Sequence, residues 1–210
     1  MTSPAAPFDD PAGPWNRRFD QPDYLFGTEP NEWLRNHAHH WRAGQHVLCV
    51  ADGEGRNSVW LARQGLVVSA FDIAANGVAK ARRLAADFGV SVDFEVADCD
   101  GYAWPEARYD GVAAIFVQFA DPALRQRLFA RIVASLRPGG VLVLQGYTPG
   151  QLANATGGPP RADHLYTPEI LREAFAGMEM LTLQTYDADL AEGTAHRGRS
   201  ALIGLVARRR

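Results

Sequence analysis

The protein has 210 residues, a formal net charge of −3, and 47% hydrophobic against 21% charged residues. This length suits one α/β domain whose core needs no disulfide or metal staple, and the charge balance argues against a nucleic-acid or membrane-surface binder. Two cysteines, Cys49 and Cys99, exclude a disulfide framework and offer no spaced Cys/His set for zinc.

Met1 to Trp15 lacks a basic stretch followed by an apolar one, so no secretory signal is expected there, and no apolar run approaches a membrane span. A cytoplasmic protein with reduced thiols follows, either monomer or homodimer. Residues 1–14, rich in Pro, Ala and Asp, are expected to be a disordered tail ahead of a single domain over 15–210. Residues 15–41 form its cap or lid segment: 15–30 mixes aromatics with Gly and Pro without a period, and Asn31 to Trp41 reads as a helix capped near Asn31.

Strands and helices then alternate. Gln45 to Val50 is a first strand, closed by the turn Asp52-Gly53-Glu54-Gly55, and Arg56 to Gln64 is helical. Leu66 to Phe71 is a second strand ending at Asp72. Ala74 to Phe88 is an amphipathic helix stopped by Gly89. Val90 to Val96 alternates strictly and gives a third strand, and Tyr109 to Val117 gives a fourth. Pro122 to Leu136 is a helix, and Pro138-Gly139-Gly140 turns into a fifth strand at Val141 to Gln145. Gln151 to Leu165 reads as a loop, and Thr167 caps a helix that runs to Phe175. Met178 to Tyr186 and Ala201 to Arg208 are two last strands joined by a polar loop, and they pair antiparallel. The pattern predicts a Rossmann-like, doubly wound, mostly parallel seven-stranded sheet ending in an antiparallel hairpin.

In such sheets a ligand lies beyond the carboxyl ends of the strands. Gly53 and Gly55 let backbone amides approach a ligand at a partly positive helix start, with Asp52 and Asn57 beside them. Asp72 can accept both hydroxyls of a ribose or cap the next helix, with Ile73 next to it. Asp98, followed by Cys99, can accept from an adenine amino group or close an Asx turn. Phe116 follows the fourth strand at the sheet centre, and Gln118 is the polar side chain of that run. A nicotinamide-dependent oxidoreductase would share the turn and the ribose acid.

The order of glycine turn, Asp72, Asp98, central apolar strand, Pro138-Gly139-Gly140 and terminal hairpin resembles class I S-adenosylmethionine-dependent methyltransferases. Three local features resemble the small bacterial tellurite-resistance and thiopurine-type branch: Phe26 to Pro30, which includes Gly27, Gly55 to Ser58, and Glu192 to Gly198. The sequence departs from that pattern where Cys49 and Ala51 stand for the usual strand acid and first glycine, which also leaves open a non-catalytic S-adenosylmethionine-binding protein. The resemblance implies S-adenosylmethionine as cofactor and methyl transfer to a small-molecule acceptor: a thiol, a chalcogen oxyanion or a similar metabolite. Trp15, Tyr24 and Phe26 are candidates for an aromatic lid, since aromatic faces attract a sulfonium. In the hairpin, His196 is a candidate base and Arg197 a candidate anion holder, with Glu192 and Tyr147 near the acceptor. His37 and His40 share a helix face without a third ligand, so no metal is expected.

Overall fold

The computed structural model describes residues 11–210. Most of the tail predicted at 1–14 lies outside the described residues. The chain enters through a short helix, α1 (Gly13–Phe19), where no period was legible, and α2 (Glu32–His37) continues as a 3₁₀ turn at Ala38–His40. Asn31 caps α2 by accepting from the Leu34 amide at 3.0 Å, as its position predicted.

Seven strands and four helices follow: β1 (His46–Val50), α3 (Arg56–Arg63), β2 (Val67–Asp72), α4 (Ala75–Asp87), β3 (Asp93–Val96), β4 (Tyr109–Ile115), α5 (Pro122–Ser135), β5 (Leu136–Tyr147), α6 (Pro168–Ala174), β6 (Met178–Glu192) and β7 (His196–Arg209). They form one sheet in the order β3-β2-β1-β4-β5-β7-β6. The first five strands are parallel, and β7 runs antiparallel between β5 and β6. The strand order reverses direction between β1 and β4, so the crevice for a ligand opens beyond their carboxyl ends.

Side-chain alternation along the central strands splits the core into two layers. Leu48, Val50, Phe71, Val112 and Leu144 face α5 and α6. Val47, Cys49, Ala70, Val143 and Val206 face Trp33, Leu34 and Trp41. Cys49 is therefore a fully buried core thiol.

The structure changes three predicted elements. The last two strands run through most of the predicted polar loop and leave only residues 193–195 as the turn. There Asp187 pairs with Arg199 at 2.9 Å while Leu190 tucks inward, so polar side chains decorate a paired ladder. Pro138-Gly139-Gly140 is an irregular part of β5, with Leu136 opposite Tyr109 and a register shift before Gly111. Finally, β4 stops at Ile115 because Phe116 has φ +57°, a left-handed conformation that strand geometry cannot continue.

Among the described residues no helix is long and apolar enough to cross a membrane.

Candidate functional site

A cavity of about 510 Å³ lies beyond the strand ends. Its size falls within the roughly 300–1,000 Å³ typical of small-molecule sites. The β1–α3 turn forms its floor. Gly55 has φ +89° and caps α3, and a Cβ there would sit 2.7 Å from that of Ala81. Only glycine lets α3 and α4 meet this closely while the turn opens toward the cavity.

Asp72 organises this floor. Its Oδ2 accepts from the Gly53 amide and its Oδ1 from the Ala74 amide, both at 2.8 Å. Ala74, not Asp72, is the N-cap residue of α4, so Asp72 ties the two turns together rather than capping the helix. Each carboxylate oxygen has two lone pairs and keeps one for a ligand donor. Burial raises its pKa, and the two amide bonds oppose the rise.

Asp52 also lines the cavity. Its Oδ2 accepts the Ser58 hydroxyl, while its Oδ1 is buried with no partner. Burial first, and then the nearby Asp72 carboxylate, push its pKa up to about 7. Beyond β3, Asp98 accepts from the Asp100 amide at 2.9 Å in an Asx turn, and Asp98, Cys99 and Ile73 all face the cavity. Burial pushes the Cys99 thiol up to about 12, so it stays protonated near neutrality.

The opposite wall is aromatic. Phe26, Phe116 and His196 pack together, with the histidine ring 4.5 Å from Phe26 and 4.4 Å from Phe116. Trp15 and Phe19 of α1 close the cavity over Gly53. Behind His196, Glu192 Oε2 accepts from Arg56 at 2.8 Å and lies 3.5 Å from His196 Nδ1, and Glu192 Oε1 accepts from Asn31 at 2.8 Å. The imidazole is 12% exposed; burial holds its pKa below the ordinary value, and Glu192 only partly offsets this. Arg56 and His196 push the Glu192 carboxyl down to about 2 despite its burial.

The hairpin tip clasps the N-terminal segment. The Thr194 amide donates to the Leu25 carbonyl at 2.9 Å, and a Cβ on Gly193 would strike that carbonyl and the Gly27 amide. On the other flank Lys80 pairs with Glu54 and donates to the Gln21 carbonyl at 3.0 Å, and Glu54 Oε2 accepts from the Leu25 amide at 2.7 Å.

Of the candidates read from the sequence, the structure brings Trp15, Phe26, Asp52, Gly53, Asn57, Asp72, Ile73, Asp98, Cys99, Phe116 and His196 to the cavity. It places others behind the wall. Gln118 is buried and spent on the Tyr147 backbone, donating to its carbonyl at 2.9 Å and accepting from its amide at 2.6 Å. Tyr147 itself stacks behind Phe116 at 4.7 Å. Tyr24 sits under Lys80, its hydroxyl donating to the Lys80 carbonyl at 3.3 Å. Gly27 meets Gly193, Gly55 meets Ala81, and Glu192 stands behind His196. Arg197 is exposed, one strand position beyond His196 and on the opposite face.

Sequence reasoning passed over Arg56 as a wall residue, although it lies in the Gly55 to Ser58 motif, and also missed Phe19. Their roles come from Glu192 and Gly53, partners far away along the chain. The His37, His39 and His40 rings cluster, His39 tilted against His40 at 4.3 Å, and His37 and His39 bond through Nδ1 to backbone carbonyls. Among the described residues no group of three metal-binding side chains occurs.

Comparison with known proteins agrees with this geometry. Residues 47–140 match the family described as a methyltransferase domain. No curated protein matches the sequence. Among solved structures, one from work on the conversion of a disulfide bond into a thioacetal group during echinomycin biosynthesis is 20% identical, with a TM-score of 0.73 over 90% of this chain and 86% of that one. TehB from Haemophilus influenzae is 17% identical with a TM-score of 0.65, covering 80% of this chain and 58% of its own. The Burkholderia thailandensis 1,6-didemethyltoxoflavin-N1-methyltransferase, solved with its substrate and S-adenosylhomocysteine, is 24% identical with a TM-score of 0.62, covering 84% of this chain and 76% of its own. These likenesses show a shared Rossmann-like fold. The matched residues include the turns after β1, β2 and β3 that form the floor of the cavity, so this part of the chain is similar to a methyltransferase domain.

Proposed function

We propose that the protein methylates a small-molecule acceptor held against the aromatic wall, with His196 as the proton acceptor. The observation that carries this reading is one cavity with two unlike sides: carboxylates and backbone amides after β1 to β3, and a buried imidazole at the start of β7 between the rings of Phe26 and Phe116.

The residues present fit the cofactor. Asp72 has lone pairs for ribose hydroxyls, and the unpartnered Asp52 Oδ1 needs a donor, which a ligand ammonium would provide. Asp98 and Ile73 line the same cavity and are the groups this reading assigns to the adenosine. When bound, S-adenosylmethionine supplies a methyl group that passes to the acceptor while the C–S bonding pair stays on sulfur. The protein's work is to align the acceptor and to remove its proton. His196 suits that task. Its lowered pKa leaves it neutral near pH 7, and Glu192 stands on the Nδ1 side, so Nε2 is the nitrogen left to take a proton.

Calorimetry with S-adenosylhomocysteine, followed by turnover of a panel of thiols, phenols and amines, tests the reading. Binding together with turnover of one acceptor class is expected. Binding without any turnover would favour a sensor, and the absence of binding to folded protein would overturn the reading.

A further inference from the structure

Resting on that reading, we propose that the acceptor is an uncharged, aromatic or otherwise flat apolar molecule, and that the wall formed by Arg56 and Glu192 excludes anions. Among the described residues, the acidic side chains lining the cavity are Asp72, Asp98 and Asp100, with Asp52 only partly ionised near neutral pH, against a single guanidinium, Arg56. That guanidinium is already engaged. It is 6% exposed, donates to Glu192 at 2.8 Å, and also donates to the Phe26 carbonyl at 3.4 Å.

The neighbouring cations are engaged too. Arg127 and Arg131 both pair with Asp100 at the rim, and Arg18 stacks over Trp15 with its guanidinium 4.6 Å from the ring. His196 is buried in its neutral form. An anionic acceptor entering this space would lose hydration and meet carboxylates without gaining an unpaired cation from the described cavity lining, which Arg18 does not join. A flat neutral molecule loses little hydration and gains ring contacts with Phe26, Phe116 and His196. The wall therefore disfavours the chalcogen oxyanions that the branch-level resemblance allowed.

Glu192 makes this a specificity device rather than a shortage of positive charge. Its carboxylate binds Arg56, the guanidinium that lines the cavity among the described residues, while Asn31 fixes its other oxygen. Glu192 is thus a positioning residue: it holds Arg56 back and stands beside His196 Nδ1 without entering the cavity.

The test uses the full chain saturated with S-adenosylhomocysteine near neutral pH and measures calorimetric binding of two probes of similar shape, neutral 2-naphthol and anionic 2-naphthoate. Wild type is expected to bind naphthol at least about tenfold more tightly than naphthoate. In Glu192→Gln, which leaves Arg56 without its counter-charge, that preference is expected to collapse or invert. Equal or tighter naphthoate binding by wild type overturns the proposal, as does failure of both probes on protein that binds S-adenosylhomocysteine. A preference unchanged in folded Glu192→Gln would overturn the assignment of Glu192. Failure to bind S-adenosylhomocysteine at all is a separate result, which removes the underlying reading.

Discussion

Near neutral pH, His196 and Asp52 are uncharged, or partly so, for the same physical reason: each is buried in the ligand-free cavity wall. Their consequences have opposite signs. His196 has a folded pKa below its unfolded value of about 6.5, so the unfolded chain binds more protons and stability is lost as pH falls through that window. Asp52 has a folded pKa of about 7 against an ordinary 3.8, so the folded chain binds more protons and stability is lost as pH rises from about 4 to about 7. Asp52→Asn removes the second effect. Its stability relative to wild type is expected to climb between about pH 4 and about pH 7 by up to about 1.4 kcal/mol per unit, and urea denaturation at fixed pH values measures it. A parallel pH dependence in both proteins would show that Asp52 stays ionised. For His196→Ala, turnover is expected to fall about 10²–10⁴-fold with S-adenosylhomocysteine affinity nearly unchanged, because the imidazole acts on the acceptor's proton. Wild-type turnover should decline as pH drops through the histidine range, and an acceptor that carries no proton to lose should escape much of the loss. Arg197→Ala, on the exposed face, should leave kcat/KM within about twofold.

At the scale of elements, the hairpin joins the acceptor wall to the N-terminal segment. Residues 193–195 reach back to Leu25, and Gly193 has φ +64° at a place where a Cβ would strike the Leu25 carbonyl. Gly193→Ala should therefore open the clasp at a local cost of about 1–3 kcal/mol, read as faster amide exchange at Leu25 to Gly27 and weaker S-adenosylhomocysteine binding. Retained protection there would mean that the Lys80–Glu54 pair alone holds the segment. This long hairpin was the part of the fold least legible in the sequence. The alternating strands, the glycine turn, Asp72, Asp98 and the Thr167 cap could all be read locally, because each depends on neighbours within a few residues. Asp187, Asp189, Arg197 and Arg199 mark the outward face, and although Ala188 and Leu190 point inward, their partners across the ladder are Ser200 and Gly198, which add no apolar signal, so the segment reads as a polar loop. The same limit hid the wall itself. Arg56, Glu192 and Asn31 meet across more than a hundred residues of chain, a juxtaposition that no local spacing encodes.

For the whole molecule, ligand binding and folding are coupled through Asp72. Its two bonds to backbone amides hold the β1 and β2 turns together, and the same carboxylate is the expected ribose acceptor. Asp72→Ala should act on both. Without ligand it strands two buried amides, at about 1–3 kcal/mol each, and Tm should fall. With ligand, the increment in stability follows RT ln(1 + [L]/Kd), about 2.7 kcal/mol for wild type at a hundred times its Kd. A variant whose affinity drops about a hundredfold would keep only about 0.4 kcal/mol at the same S-adenosylhomocysteine concentration. The two losses separate in thermal melts with and without ligand, because the first shifts the baseline Tm and the second shrinks the ligand-induced rise. A lowered baseline with an undiminished rise would make Asp72 a tie between two turns and nothing more. The ribose would then have to be held by other groups lining the cavity floor, the backbone of Gly53 and Ile73 among them.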